Sequence, residues 1–309
     1  MVYTCPLIWR AAPHRTRTLG LSSNIKDSMT VLSGCLPYNF LLESKLKNNS
    51  AIVMCATGSL YKKIALIAIK QLRRVEENCH LELFVDTIDD DTRPFGQLNV
   101  RVTKLDNTSY SFGDKIEAIS ATSFDKIVWL DVDVLCVRPF FHDILSALNH
   151  VSLIARFDTD FNVKWELDGY SPAICQANTG VVAIDRTSPS FQSFLDEWKR
   201  IYANFQAPHD QPAFRLAVLN SGISHGHLAP EFNALPFGVL HYPPRILHFT
   251  SDWGKRILTE HLHIATSLAK TLDTLLRQGE FDVVCYNNFR PVLMHTRKSN
   301  LWLNMDKAS

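Results

Sequence analysis

Lys126-Ile127-Val128-Trp129-Leu130-Asp131-Val132-Asp133-Val134-Leu135-Cys136-Val137-Arg138-Pro139 is the stretch on which the reading of this chain turns. Residues 127–130 and 134–137 form a nearly unbroken apolar run, the pattern of a strand buried on both faces. Two carboxylates interrupt it, one residue apart. On an extended backbone, residues i and i+2 point to the same side, so Asp131 and Asp133 are expected to converge on one spot. Two like charges that close do not lie in a core uncompensated. A hard divalent cation, which takes oxygen ligands, would compensate them. The plainer alternative is an Asp pair capping a turn at a strand end.

The rest of the composition sets bounds. The chain has 309 residues, enough for one large α/β domain or two small ones, and 46% of them are apolar. The net charge of +1 gives no reason to expect a nucleic-acid partner or an anionic membrane surface. No 18-residue apolar run is present, so no transmembrane segment is expected. Residues 1–17 lack a signal peptide's apolar core. The seven cysteines are scattered, and Cys55, Cys136 and Cys285 sit in apolar strand-like runs. They read as reduced core residues, which points to a cytoplasmic setting.

Residues 1–50 show no clear periodicity and read as an extension packing on the main body, with a helix near 40–47. Residues 51–56 form a buried strand candidate, broken by Thr57-Gly58-Ser59. Residues 60–75 follow with helical spacing at Ile64, Ile67, Ala68 and Leu72 and a basic end at Arg73 and Arg74. Residues 80–85 form a second strand. Strand, glycine turn, helix and strand make a βαβ unit and predict a parallel sheet. Ligands of such sheets bind beyond the C-terminal strand ends, where Thr57, Ser59 and Tyr61 lie. Two hydroxyls and an aromatic ring there suit a nucleobase, although Ser59 equally suits a helix N-cap.

A third strand is expected at 100–105 and a helix at 112–123. Lys115 falls on its first turn, where a cation opposes the helix dipole. It is either placed for an anionic ligand or solvated. After the central strand, Asn178-Thr179-Gly180 leads into a strand at 181–184, and a glycine there lets a ligand approach the backbone. Residues 190–205 form an amphipathic helix whose Phe191, Phe194, Leu195, Trp198 and Tyr202 belong to the core. His209-Asp210-Gln211-Pro212 opens a helix running to about 219, with Asp210 as N-cap and Pro212 in the first turn. Capping does not explain Gln211. Short strands are expected at 235–239 and 246–249. His248, in the second, offers an imidazole suited to a borderline divalent metal, and Lys255 shortly after would meet a phosphate. A helix at 260–276 closes the main domain, and 286–309 reads as a tail. The expected organisation is an extension at 1–50, one α/β domain at 51–276 and a C-terminal tail at 277–309.

Two enzyme classes place Asp-X-Asp after an apolar strand. In sugar-nucleotide transferases the pair holds a metal on the donor diphosphate. In haloacid-dehalogenase-type phosphatases the first carboxylate, here Asp131, is the nucleophile. Such a phosphatase usually opens with this strand, whereas here a βαβαβ half precedes it. Asp158 and Asp160, after the strand-like 152–155, keep that alternative open.

The ordered motifs resemble the glycogenin-like family 8 glycosyltransferases of the GT-A fold over roughly residues 51–256. The pieces are Ala56-Thr57-Gly58-Ser59-Leu60-Tyr61, Phe112-Gly113-Asp114-Lys115-Ile116, Leu130-Asp131-Val132-Asp133-Val134-Leu135, Ala177-Asn178-Thr179-Gly180-Val181, His209-Asp210-Gln211-Pro212-Ala213 and Leu247-His248-Phe249-Thr250. Two departures stand out: Ala177 replaces the family's Phe, and Lys255 comes one residue late. The resemblance implies an α/β GT-A fold with a Rossmann-like, mostly parallel sheet. It implies a retaining, metal-dependent transfer of a sugar from a nucleotide sugar, by family default a UDP-sugar, to a glycan, protein or small-molecule acceptor. It further implies Mn²⁺ (or Mg²⁺) on Asp131, Asp133 and His248. Thr57, Tyr61, Lys115, Asn178 and Lys255 would bind the donor, and Asp210 or Gln211 would lie at the reacting face of the sugar. A catalytically inactive GT-A binding protein is the remaining alternative.

Overall fold

β1 (Ser50–Ala56) shows how the sequence builds the central layer. Ile52, Met54 and Ala56 join one core cluster while Ala51 and Val53 join the other, the period-2 alternation of a strand covered on both faces. α1 (Ser59–Val75) follows, then β2 (His80–Val85) and β3 (Arg101–Lys104), each parallel to its neighbour. α2 (Gly113–Ala121) leads to β4 (Lys126–Leu130), which returns parallel to β1. The expected βαβ order is therefore present.

The computed structural model describes residues 49–158, 175–204, 209–236, 239–240, 243–277, 281–287 and 290–296. The helix expected at 40–47 and the extension up to residue 48 lie outside them, as does Asp160. The described residues belong to one unit, Glu43–Ser309.

After β4 come β5 (Val134–Cys136), α3 (Phe141–Ala147), β6 (Leu153–Asp158) and β7 (Gln176–Asp185). α4 (Phe191–Asn204), α5 (Gln211–Ser221) and β8 (His225–His227) complete the central layer. The sheet has the order β3-β2-β1-β4-β7-β6-β8. β7 runs antiparallel to both β4 and β6, and the remaining pairs are parallel. One core face holds α1 and α3. The other holds α2, α4 and α5. The aromatic stripe of α4 is core, as expected: Phe191, Phe194, Leu195 and Trp198 are buried. Trp198 meets Phe214 of α5 edge-on at 4.9 Å, which fixes α5 against the sheet.

β9 (Val239–Leu240) and β10 (Ile246–His248) follow, then α6 (Ser251–Glu260) and α7 (Leu262–Arg277). The sequence expectations and this part of the chain differ at three points. The helix expected at 260–276 is α7, but α6, which parts from it at His261 where the backbone leaves the helical region at φ −134, was not expected. Of the strand expected at 235–239, Leu235 and Pro236 lie in no strand, 237–238 fall outside the described residues and Val239 opens β9, while Ala234 forms an isolated bridge to Leu247. Within the expected tail, β11 (Phe281–Asn287) and β12 (Arg290–Thr296) pair antiparallel and β11 also pairs with β9. Among the described residues Cys55, Cys79, Cys136 and Cys175 are free thiols. No helix among them is long and apolar enough to cross a membrane.

Candidate metal centre and donor site

The quoted central stretch is not one strand. β1 accompanies β4 only as far as Trp129, and β4 ends at Leu130. Asp131 donates its N–H to the Gly180 carbonyl of β7 at 2.8 Å, and the chain then turns through Val132 and Asp133. β5 leaves the central sheet and pairs antiparallel with β10. The expectation that Asp131 and Asp133 converge is met, but by this turn and not by strand alternation. Losing β1 as a neighbour frees the backbone to turn.

The β5–β10 pairing supplies the third group. His248 lies opposite Val134, and Phe249 donates its N–H to the Asp133 carbonyl at 2.8 Å. His248 Nε2 is thereby 3.2 Å from Asp133 Oδ1 and 4.0 Å from Asp131 Oδ2. One ligand atom from each of the three residues lies within 4.8 Å of the others. Two carboxylate oxygens and an imidazole nitrogen suit a hard or borderline divalent cation such as Mn²⁺ or Mg²⁺. Gly180, expected to admit a ligand, admits the His248 ring: a Cβ there would sit 2.0 Å from Cε1. β7 bulges here, since Asn178 pairs with Arg156 and Val182 with Ala155, leaving residues 179–181 out of register. Such a bulge re-aims side chains next to a site.

Asp131 is fixed from behind. Trp129 Nε1–H donates to Oδ1 at 2.9 Å, and Lys115 Nζ lies 3.0 Å from Oδ1. Lys115 also donates to the Thr179 hydroxyl at 3.1 Å and pairs with Asp210 at 3.3 Å. The solvated-lysine alternative fails, for Lys115 is only 5% exposed. Its position at the start of α2 is balanced by two carboxylates. Burial works against its charge, but Asp131 and Asp210 outweigh that and hold it protonated, above the ordinary lysine range. Burial, with Asp133 adding to it, pushes the Asp131 carboxyl above the usual aspartate range against the pull of Lys115. Burial pushes Asp133 up too, but the attraction and hydrogen bond of His248, with Lys255 beyond, leave it below that range. Replacing Lys115 with Met would leave two carboxylates facing each other. Removing one partner of a buried ion pair costs roughly 3–5 kcal/mol, and urea unfolding in EDTA is expected to show a loss near the lower end because Asp131 keeps some solvent access. An unchanged midpoint would contradict this role for Lys115.

Asp210 occupies the N-cap position of α5 but makes no side-chain cap. Its carboxylate, 1% exposed, goes to Lys115 instead, which corrects the capping expectation. Gln211, the next residue, is half-buried. On the other side, Thr57 donates its hydroxyl to Asp114 at 2.8 Å, and Ser59 donates to Asp91. Ser59 therefore caps nothing; Gly58, at φ +88, holds the N-cap position, a conformation that favours glycine. Tyr61 is exposed, and Lys255 from α6 donates to its hydroxyl at 3.3 Å. Burial weakens the Lys255 charge, but Tyr61, Asp133 and Asp252 together raise it above the ordinary range.

No protein-family model and no curated protein matches this sequence. Solved structures do match its fold. The galactosyltransferase LgtC, in complex with donor and acceptor sugar analogues, superposes with a TM-score of 0.51 at 18% identity, over 72% of this chain and 95% of LgtC. The fold is GT-A. The glycosyltransferase GlyE of Streptococcus pneumoniae TIGR4 is also similar, with a TM-score of 0.48 and 18% identity over 66% of this chain and 55% of that one.

Within this GT-A frame the expected site residues fall into groups. Asp131, Asp133, His248, Lys115 and Asp210 form one connected cluster. Lys255 and Tyr61 form a pair at its edge, and Thr57 is tied to Asp114 at the start of α2. Asn178 reaches His248 through Asn233. Trp129, Thr179, Asp114 and Asn233 were not singled out from the sequence. Trp129 stands two residues before Asp131, the same-side spacing already used for the carboxylates, and that signal was available. Asn233 has no comparable signal.

Proposed function

We propose that this chain is a metal-dependent, retaining glycosyltransferase that moves a sugar from a nucleotide-sugar donor, a UDP-sugar by the family resemblance, to a glycan, protein or small-molecule acceptor. One observation carries this reading: Asp131, Asp133 and His248, from segments far apart in the chain, meet at the C-terminal end of β4 in a GT-A fold. In such sheets that is where ligands bind.

Asp131, Asp133 and His248 would hold Mn²⁺ or Mg²⁺. When bound, the cation supplies Lewis-acid charge to the leaving diphosphate. Lys255 adds fixed positive charge near Asp133, where it favours a phosphate. The exposed Tyr61 ring beside it offers a face to the nucleobase. Thr57, held by Asp114, shapes the loop between them. Asn178 lies between the bulge of β7 and Asn233, next to where the donor sugar would rest. Lys115 is largely engaged by Asp131 and Asp210, so we assign it to setting the charge and position of Asp131 behind the donor. Asp210 is sealed and paired, which leaves Gln211 as the better placed of the two to meet the sugar's reacting face.

The phosphatase alternative gains nothing from this geometry, since Asp131, its nucleophile, is held by Trp129 and Lys115. The inactive-domain alternative must account for three ligand groups kept together. Calorimetry with UDP separates the readings. Binding is expected with Mn²⁺ and is expected to vanish in EDTA; equal binding in both would refute the metal-dependent reading.

A further inference from the structure

We infer that Asn233 is the positioning residue that holds a proton on His248 Nδ1, so that Nε2 is the ring nitrogen turned to Asp131 and Asp133 and its lone pair the one a cation can take. The use of that lone pair depends on the metal reading above. The proton on Nδ1 itself follows from hydrogen-bond geometry.

The chain of bonds starts from a group whose role is certain. A backbone N–H can only donate. Gly180 N lies 3.0 Å from Asn178 Oδ1 in donor geometry, so the Asn178 atom there is the amide oxygen and not the nitrogen. That same oxygen is 3.0 Å from an amide atom of Asn233. An acceptor must face a donor, so that atom is Asn233 Nδ2. The other arm of Asn233 is then Oδ1, which lies 3.0 Å from His248 Nδ1. An amide oxygen only accepts, so Nδ1 carries a proton. Nε2 is the atom 3.2 Å from Asp133. Without a cation it can carry a second proton to that carboxylate, and a cation that displaces that proton leaves the ring with the one on Nδ1 alone.

The opposite tautomer would set a bare Nδ1 against a bare Oδ1 and give the Nε2 proton to Asp133, closing the ligand position. Turning the Asn233 amide over would relieve the first clash only by setting two oxygens, Asn233 Oδ1 and Asn178 Oδ1, against each other. Asn233 cannot drift away either. It is fully buried, its carbonyl accepts Arg156 Nη1–H at 2.6 Å, and its N–H donates to Pro230 at 3.2 Å. Its neighbour Ala234 accepts the His248 N–H at 2.9 Å and donates to Ile246, so Asn233 is anchored beside β10. Outer partners that orient a metal-ligating histidine typically change metal affinity about 10–100-fold when removed.

The test compares Asn233→Leu, which removes the acceptor, with Asn233→Asp, which keeps an oxygen facing Nδ1. Ring nitrogen shifts of His248 are read by ¹⁵N NMR in the metal-free protein, with assignment from the signals lost in His248→Gln. Mn²⁺ binding is read by the electron paramagnetic resonance of the free ion. The wild type is expected to show a proton on His248 Nδ1. Asn233→Leu is expected to lose that proton, leaving the ring protonated at Nε2, and to weaken Mn²⁺ binding about 10–100-fold, while Asn233→Asp keeps the Nδ1 proton and loses less affinity, its second oxygen now facing Asn178 Oδ1. A wild-type ring protonated at Nε2 alone would overturn the inference, as would an Asn233→Leu protein that keeps the Nδ1 proton. If Asn233→Leu fails to fold, the wild-type and Asn233→Asp tautomers still decide. A wild type that is protonated at Nδ1 yet binds no Mn²⁺ would overturn the metal reading and uphold the assignment to Asn233.

Discussion

Asp133→Ala is expected to abolish Mn²⁺-dependent UDP binding while leaving the protein folded. Asp133 contributes the carboxylate nearest the imidazole, 3.2 Å from His248 Nε2, and its side chain keeps little contact with solvent. Without it one carboxylate and one imidazole remain, and no other Asp, Glu, His or Cys group among the described residues completes the set. Outer-shell changes cost about 10–100-fold in metal affinity, so loss of a ligand should exceed about 100-fold. Stability should change little in the metal-free state. The substitution removes the attraction to His248 but also the repulsion that Asp133 imposes on Asp131. Calorimetry with UDP and Mn²⁺, beside a melting curve in EDTA, measures both. Unchanged UDP affinity in a folded variant would sink the metal assignment.

The second large effect is expected from a single methyl group. In Gly180→Ala the new Cβ would sit 2.0 Å from His248 Cε1, 2.5 Å from Nδ1 and 2.7 Å from Nε2. Contacts that short cannot persist, so either the backbone or the ring must move. The backbone at 180 is tied at both polar groups, its carbonyl to the Asp131 N–H at 2.8 Å and its N–H to Asn178 at 3.0 Å. The ring is buried and held by Asn233 and Asp133. Displacing it breaks both of those contacts and takes Nε2 out of the cluster. Mn²⁺ affinity is expected to fall as far as in His248→Ala, and over-packing should cost roughly 1–3 kcal/mol of stability. Free-Mn²⁺ resonance and thermal melting on the two variants test this together. Wild-type Mn²⁺ affinity in Gly180→Ala would show that the ring does not carry the site.

The parts of this molecule that follow local rules were legible. Residues 51–56 are apolar enough to be read as a buried strand and 80–85 as a second strand, and both are strands. The stripe of 190–205 has helical spacing, and α4 buries it. The turn at Asp131 was not legible. The apolar run continues on both sides of it, and hydrophobicity does not reveal that β1 stops alongside Trp129. α7 was legible nearly to its bounds, whereas α6 before it was not read, and the break between them at His261 carries neither Gly nor Pro. In the site, the carboxylate pair was visible as spacing, whereas uniting it with His248 required a resemblance spanning the whole domain. The burial of Lys115 between Asp131 and Asp210 is a product of tertiary packing. So is the placement of Asn233 beside β10, because its short 3₁₀ turn, Pro230–Phe232, resembles any surface loop.

The central claim is sugar transfer at a metal site built from Asp131, Asp133 and His248. Its most direct test is release of nucleoside diphosphate from a panel of nucleotide sugars, run with Mn²⁺, with EDTA, and with His248→Ala in Mn²⁺. The account predicts turnover of at least one sugar nucleotide, a UDP-sugar first, only with the wild-type protein and Mn²⁺. Turnover that survives EDTA, or that is equal in His248→Ala, would contradict it.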